Sequence, residues 1–246
     1  MNTYAPRHSR FRPSALALLG ALAGSIAVPA VAGVFSVTPV RIFMTPKDRA
    51  IAVTLSNEGD QPVALQAELN VWSQGADGAD VLTPTDDLVL SPPIIKLAPK
   101  ARQVVRLASL KPADASRQLT YRLIVREIPE AATPGKSIQV PVALALSMPV
   151  FITPPPAARK VGCTATAKGS EVLAVCKNDG TAYAQVREAV LKRDGAEARF
   201  EGGAYILPGA ARTLALKSDK PFAKGAAQLA VTFDDGKSQS FDVMLP

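Results

Sequence analysis

KSIQVPVALALSMPVFITPPP, residues 136–156, is the stretch from which the fold reads outward. Every even position from 138 to 152 is apolar: Ile138, Val140, Val142, Leu144, Leu146, Met148, Val150 and Ile152. The odd positions from 139 to 147 are small or polar: Gln139, Pro141, Ala143, Ala145 and Ser147. Successive side chains of a strand point to opposite faces, so this period of two predicts a strand with one apolar face. At about 3.3 Å per residue the stripe spans roughly 50 Å, against about 17–20 Å for a typical strand. That is more than one small sandwich buries. Pro141 suits an edge or a bulge better than a central strand, and a flat apolar edge invites a second chain to pair with it. A long strand buried wholly inside its own sandwich is the alternative.

The same rhythm runs along the rest of the chain. Alternating runs at 35–44 (FSVTPVRIFM), 50–57 (AIAVTLSN), 62–74 (PVALQAELNVWSQ), 103–110 (QVVRLASL) and 118–128 (QLTYRLIVREI) precede the stripe. The turn-forming stretches NEGDQP, GADGAD, SPP, LAPKA and PEAATPGK separate them. The prolines of TPPPAARK, 153–160, stiffen a hinge between domains. Beyond it come GCTATAK, EVLAVCKN, AQVREAVLK, AYILPGAARTLAL, AAQLAVTF and SQSFDVMLP. FDDGKS, with Asp235-Gly236 between two such runs, is a hairpin signal. The chain is therefore expected to be all-β, with one domain over 33–153 and a second over 154–246.

Ahead of these runs, Arg7, Arg10 and Arg12 form a basic start, followed by an apolar, small-residue segment ending in Ala30-x-Ala32. That pattern predicts a secretory signal peptide over 1–32, with a retained membrane anchor as the alternative. The remaining chain is expected to be exported and not inserted in a membrane. It carries 25 basic and 21 acidic residues, scattered without a run, which does not suggest a nucleic-acid surface. The one histidine, His8, lies in the leader, so Ser-His-Asp and Cys-His catalysis and most zinc sites are excluded from the rest. There is no Gly-rich phosphate loop, and the pair Asp86-Asp87 falls in a loop context. The expectation is a protein that is not an enzyme and needs no cofactor. With Gly169-Ser170 at the tip of a two-residue turn, Cys163 and Cys176 face each other across a hairpin. At a non-hydrogen-bonded pair the Cα atoms are about 4.5 Å apart, within disulfide range. A structural disulfide is expected in an exported chain; two free buried thiols are the alternative.

Taken in order, FSVTPVRI, TLSNEGDQPVALQAELNVWSQ, DLVLSPPIIKLAPKARQVVRL, YRLIVREIP and LSMPVFITP resemble the PapD-like periplasmic chaperones of chaperone–usher pilus systems. NDGTAYAQV and YILPGAARTLAL extend the resemblance into the second domain, and Trp72-x-Gln74 with SMPVF is similar to the archaic, or alternative, branch. The resemblance implies two immunoglobulin-like β-sandwiches in a boomerang. It also implies a mechanism: the chaperone lends an edge strand to a pilin-like subunit that lacks one, then passes the subunit to an outer-membrane usher. Ile138, Val140, Val142, Leu144 and Leu146 match the lent positions, while Met148, Val150 and Ile152 are expected inside the chaperone. Arg41 matches the family's anchor for the subunit's C-terminal carboxylate. The family's second, lysine anchor aligns with Pro149, so that role is open, with Arg122 and Arg126 as candidates and a structural ion pair as the other reading of Arg126. Thr153 stands where the family often carries an interdomain arginine, so the elbow needs another lock. The loop PEAATPGK is expected to be mobile without a subunit, and self-association that hides the stripe before capture is a further expectation. Two rival readings stay open: a PapD-like chaperone for a secreted coat other than a pilus, and a structural or adhesive component of the filament. The second requires an alternating N-terminal extension, and none precedes FSVTPVRI.

Overall fold

The computed structural model describes residues 35–129 and 143–246, and all regular structure in them is strand. No helix of the described residues is long and apolar enough to cross a membrane. The first sandwich contains β1 (Phe35–Thr38), β2 (Ile42–Met44), β3 (Ala50–Asn57), β4 (Val63–Gln74), β5 (Asp80–Pro84), β6 (Leu88–Ser91), β7 (Ile94–Leu97), β8 (Arg102–Ser109), β9 (Leu119–Glu127) and β10 (Ala145–Ile152). One sheet runs β1-β3-β8-β6 and the other β2-β10-β9-β4-β5, with β7 also on β4. Between them lies a core that includes Val53, Leu55, Leu65, Leu107, Leu123, Val125 and Val150. These are the inward positions of the alternating runs. Removing each such side chain from water contributes about 1.5–3 kcal/mol.

The second sandwich contains β11 (Val161–Lys168), β12 (Glu171–Asn178), β13 (Ala184–Arg193), β14 (Ala196–Ile206), β15 (Ala211–Lys217), β16 (Gly225–Phe233) and β17 (Ser238–Leu245). They form one sheet in the order β11-β12-β15-β14-β13-β16-β17, closed around its own core. Cys163 pairs with Cys176 in the β11–β12 register, and a disulfide joins them with Cα atoms 4.1 Å apart. Gly169 turns this hairpin at φ 64°, a left-handed conformation that favours glycine.

The run FSVTPVRIFM is two strands rather than one. Pro39 has no N–H to continue a ladder, and the chain changes sheets there: β1 pairs antiparallel with β3, whereas β2 pairs parallel with β10. AYILPGAARTLAL is likewise split, because Pro208 and Gly209 turn the chain between β14 and β15. β5, β6, β7 and the first half of β14 had no separate strand signal. They are short, exposed or glycine-interrupted, so their alternation is weak. The stripe is described as strand only over β10, Ala145–Ile152.

Candidate functional site

Along its whole length β10 pairs antiparallel with β9, and Glu127 N donates to Leu144 O at 2.9 Å just beyond the strand's start. On the other side β2 pairs only with Val150, Phe151 and Ile152. From Ala145 to Pro149, that edge has no strand partner among the described residues. A proline is tolerated at Pro149 because the ladder there is one-sided. Met148, Val150 and Ile152 are buried in the first core, Leu146 is half-buried against it, and Leu144 is 39% exposed. Ile138, Val140, Val142 and most of the loop PEAATPGK lie outside the described residues.

At the point where β2 closes this edge, Ile42 faces Val150, and Arg41 immediately precedes Ile42. Arg41 Nη1 donates to Asp234 Oδ2 and to Gln185 Oε1, both at 3.0 Å. The Tyr183 hydroxyl donates to the same Asp234 Oδ2 at 3.1 Å. Partial burial opposes the charge on Arg41. Tyr205, Tyr183 and Asp234 more than offset it, so the guanidinium is held above its ordinary pKa. Burial and the neighbouring Asp234 push the Tyr183 hydroxyl well up, which keeps it a donor.

Arg122 on β9 stands directly across from Pro149. Its guanidinium carbon lies 3.7 Å from the centroid of the Trp72 ring and 5.7 Å from that of Tyr205. Asp80 is 3.9 Å away, and burial lowers the arginine's pKa against the pull of Asp80 and Tyr205. Tyr205 feels both cations: burial raises its pKa, and Arg41 and Arg122 oppose the rise. The fold thus brings both Arg41 and Arg122 close enough to act on one tyrosine. Arg126 is elsewhere, four residues or about 13 Å along β9, across from Ala145 and paired with Glu68 at 2.7 Å.

The contact between the sandwiches is aromatic at its centre. Phe151, on the face of β10 opposite the core, stacks on Tyr183 with centroids 4.2 Å apart and on Phe43 at 5.6 Å. Trp72 and Leu207 complete the buried cluster, with Tyr205 edge-on to Trp72 at 5.1 Å. Two glutamines bridge the halves. Gln118 donates to Thr153 Oγ1 at 2.6 Å and accepts from Tyr183 N at 2.8 Å. Gln74 donates to Tyr205 O and accepts from Leu207 N, both at 2.9 Å. Arg159, held bidentately by Asp235 at 3.1 Å, lies 4.2 Å above the Phe233 ring. A cavity of about 680 Å³ opens beside these groups, lined by Phe43, Gln118, Arg159, Tyr183, Asp234 and Asp235 among others.

These contacts answer the missing arginine at Thr153: glutamines, an aromatic stack and Arg41 itself tie the halves together. Sequence reasoning read Asp234 and Asp235 only as part of a hairpin turn, and it did not single out Gln185, Tyr183 or Tyr205. The Asp-Asp-Gly signal located the loop but said nothing of what the loop faces.

A family model described as the PapD N-terminal domain of pili and flagellar-assembly chaperones matches residues 34–157. No curated protein matches at the level of sequence. Solved structures do match in fold. One is the complex of the chaperone CsuC with the tip adhesion subunit CsuE, from the archaic chaperone–usher Csu pili of Acinetobacter baumannii. It matches at a TM-score of 0.63 and 19% identity, over 86% of this chain and 98% of that one. The E. coli chaperone DraB matches at 0.54 and 18% identity, over 87% and 97%. The complex of the Salmonella enterica SafA pilin with the SafB chaperone matches at 0.57 and 15% identity, over 87% and 97%. At these identities the likeness is one of fold, an all-β pair of immunoglobulin-like sandwiches.

Proposed function

The chain belongs to the PapD family of pili and flagellar-assembly chaperones, and on that premise we propose that it captures pilin-like subunits in the periplasm by lending them the free edge of β10. It then delivers them to an outer-membrane usher. The family is one of assembly chaperones, not of catalysts. The observation that carries the reading is the edge over Ala145–Pro149, unpaired among the described residues, that ends at Arg41.

That ending has a direction. A strand added along the edge must stop where β2 begins, opposite Val150. A strand parallel to β10 reaches that point with its C-terminus, whereas an antiparallel one arrives with its N-terminus. A guanidinium suits a terminal carboxylate and repels an ammonium. The arrangement therefore favours a partner strand parallel to β10 with a free C-terminal carboxylate. Main-chain bonds supply affinity, and alternate side chains, Ile138, Val140, Val142, Leu144 and Leu146, fill pockets in the subunit. Arg122 is the favoured second cation: it lies across from Pro149 and shares Tyr205 with Arg41. Arg126, spoken for by Glu68, is the weaker candidate.

An exported chain also fits a disulfide in the second sandwich. We extend the proposal to a leader over 1–32, domains over 33–153 and 154–246, membership of the archaic branch, and self-association of the free protein through the same edge. The test is co-expression with the pilin-like subunit encoded alongside, comparing wild type with Leu144→Arg. The expected result is a soluble one-to-one complex for wild type and none for a variant that is itself folded. Equal binding by both would end the donor-strand reading.

A further inference from the structure

Arg41, the proposed anchor, already holds a carboxylate of its own chain. Arg41 Nη1 reaches Asp234 Oδ2 at 3.0 Å, across 193 residues of sequence and from one sandwich to the other. We infer that Asp234 is an internal stand-in, which holds Arg41 until the partner's terminal carboxylate displaces it. This rests on the reading of Arg41 as the anchor.

The asymmetry of the pair says which side moves. Asp234 is the fixed half: its side chain is 14% exposed, Tyr183 donates to the same oxygen at 3.1 Å, and its own N–H is bonded to Gln185 O at 3.0 Å. Arg41 is the reachable half, with its side chain 34% exposed at the end of the open edge. When the arginine turns to a partner, Asp234 keeps the tyrosine, so its charge is not stranded. Gln185, a neutral acceptor 3.0 Å from the same Nη1, stays with the guanidinium without competing for its charge. One carboxylate replaces another, and no net charge is created or lost.

Two consequences follow. Before capture the guanidinium is neutralised, so it does not collect unrelated anions. On capture the ion pair between the sandwiches opens, while the Phe151–Tyr183 stack and the Gln118 bridge remain. Occupancy of the anchor is thereby coupled to the stiffness of the elbow.

The experiment uses the full chaperone and the pilin-like subunit encoded alongside, prepared once with its native C-terminal carboxylate and once as the C-terminal amide. Arg41→Ala should erase the difference in affinity between the two forms. Asp234→Asn removes the internal charge while keeping the shape. It should tighten the carboxylate form by about two- to fivefold, the scale of a partly exposed ion pair, and leave the amide form unchanged. Tyr183→Phe keeps the stack but leaves Asp234 only its arginine, and should weaken the carboxylate form alone. A purely structural role would move both forms together. If Arg41→Ala erases the difference but Asp234→Asn weakens or fails to change the carboxylate form, the anchor stands and the exchange is wrong. If Arg41→Ala leaves the difference intact, the anchor reading fails and takes the exchange with it. Should Asp234→Asn not fold, Tyr183→Phe decides: selective weakening supports the exchange, and any other result overturns it.

Discussion

In the C-terminal sandwich the first and last strands of the sheet, β11 and β17, lie against each other, and Gln239 Nε2 reaches Val161 O at 3.4 Å. In the N-terminal sandwich β10 presents an edge from Ala145 to Pro149 with no strand beside it among the described residues. Both are built from the same alternating runs. The difference lies in whether the edge strand has another strand lying beside it. An unpaired edge in a sheet is a hazard that proteins ordinarily blunt or cover. Here the edge is bordered by half-buried Leu146 and exposed Leu144 and ends at a cation, which supports the proposal that a partner strand covers it.

The comparison can be broken most severely where the two sandwiches share a side chain. Phe151 is fully buried between them, and Phe151→Ala should cost about 3–5 kcal/mol of stability. Thermal melts should show one cooperative transition splitting into two as the halves lose their common support. Next in size is the disulfide of the closed sandwich. Replacing Cys163 and Cys176 with serine releases a crosslink between residues 13 apart, expected to cost about 2–4 kcal/mol. Hydrogen exchange should register the loss in β11 to β17 while β3, β8 and β9 keep their protection.

Smaller still is the effect on the free protein of charging the open edge. Leu144→Arg should shift the stability of the uncomplexed chaperone by only about 0.5 kcal/mol, because the side chain is already exposed, yet it should abolish subunit capture. A large loss of stability in urea titration would mean that Leu144 serves its own core. The finest distinction is in pH. The Lys111 ammonium holds Asp87 of the N-terminal sandwich below the usual carboxylate range, and Arg159 does the same for Asp235 of the C-terminal one. A depressed folded pKa contributes stability that is complete above the unfolded value of about 3.9 and is lost as pH falls through the folded value. Stability should therefore be level above about pH 5 and fall below it, with Asp87→Asn and Asp235→Asn each flattening part of the slope.

Much of this was legible in advance. The core positions of β3, β8, β9 and β12 follow from alternation alone, since burial on one face imposes a period of two. The disulfide register follows from counting back from Gly169-Ser170, because a two-residue turn sets every pair behind it. Met148, Val150 and Ile152 were separable from the rest of the stripe only through the family resemblance. Strands such as β5, with every residue exposed, had no burial to impose a pattern. The change of sheet at Pro39 was hidden because both pieces alternate.

The amino-acid sequence by itself determined the all-β class, the apolar stripe, the cysteine pair and the lack of a histidine beyond position 8. Each is a property of neighbours in the chain or of composition. Only the tertiary structure decided that β2 closes the edge at Val150, that Arg122 lies over Trp72, and that Arg41 meets Asp234. These contacts join residues 50 to 193 positions apart, from strands remote in the chain or from different sandwiches. No local period or spacing encodes such a meeting. It arises when two cores pack their outer faces together, and the polar groups there find partners that the burial of those faces demands.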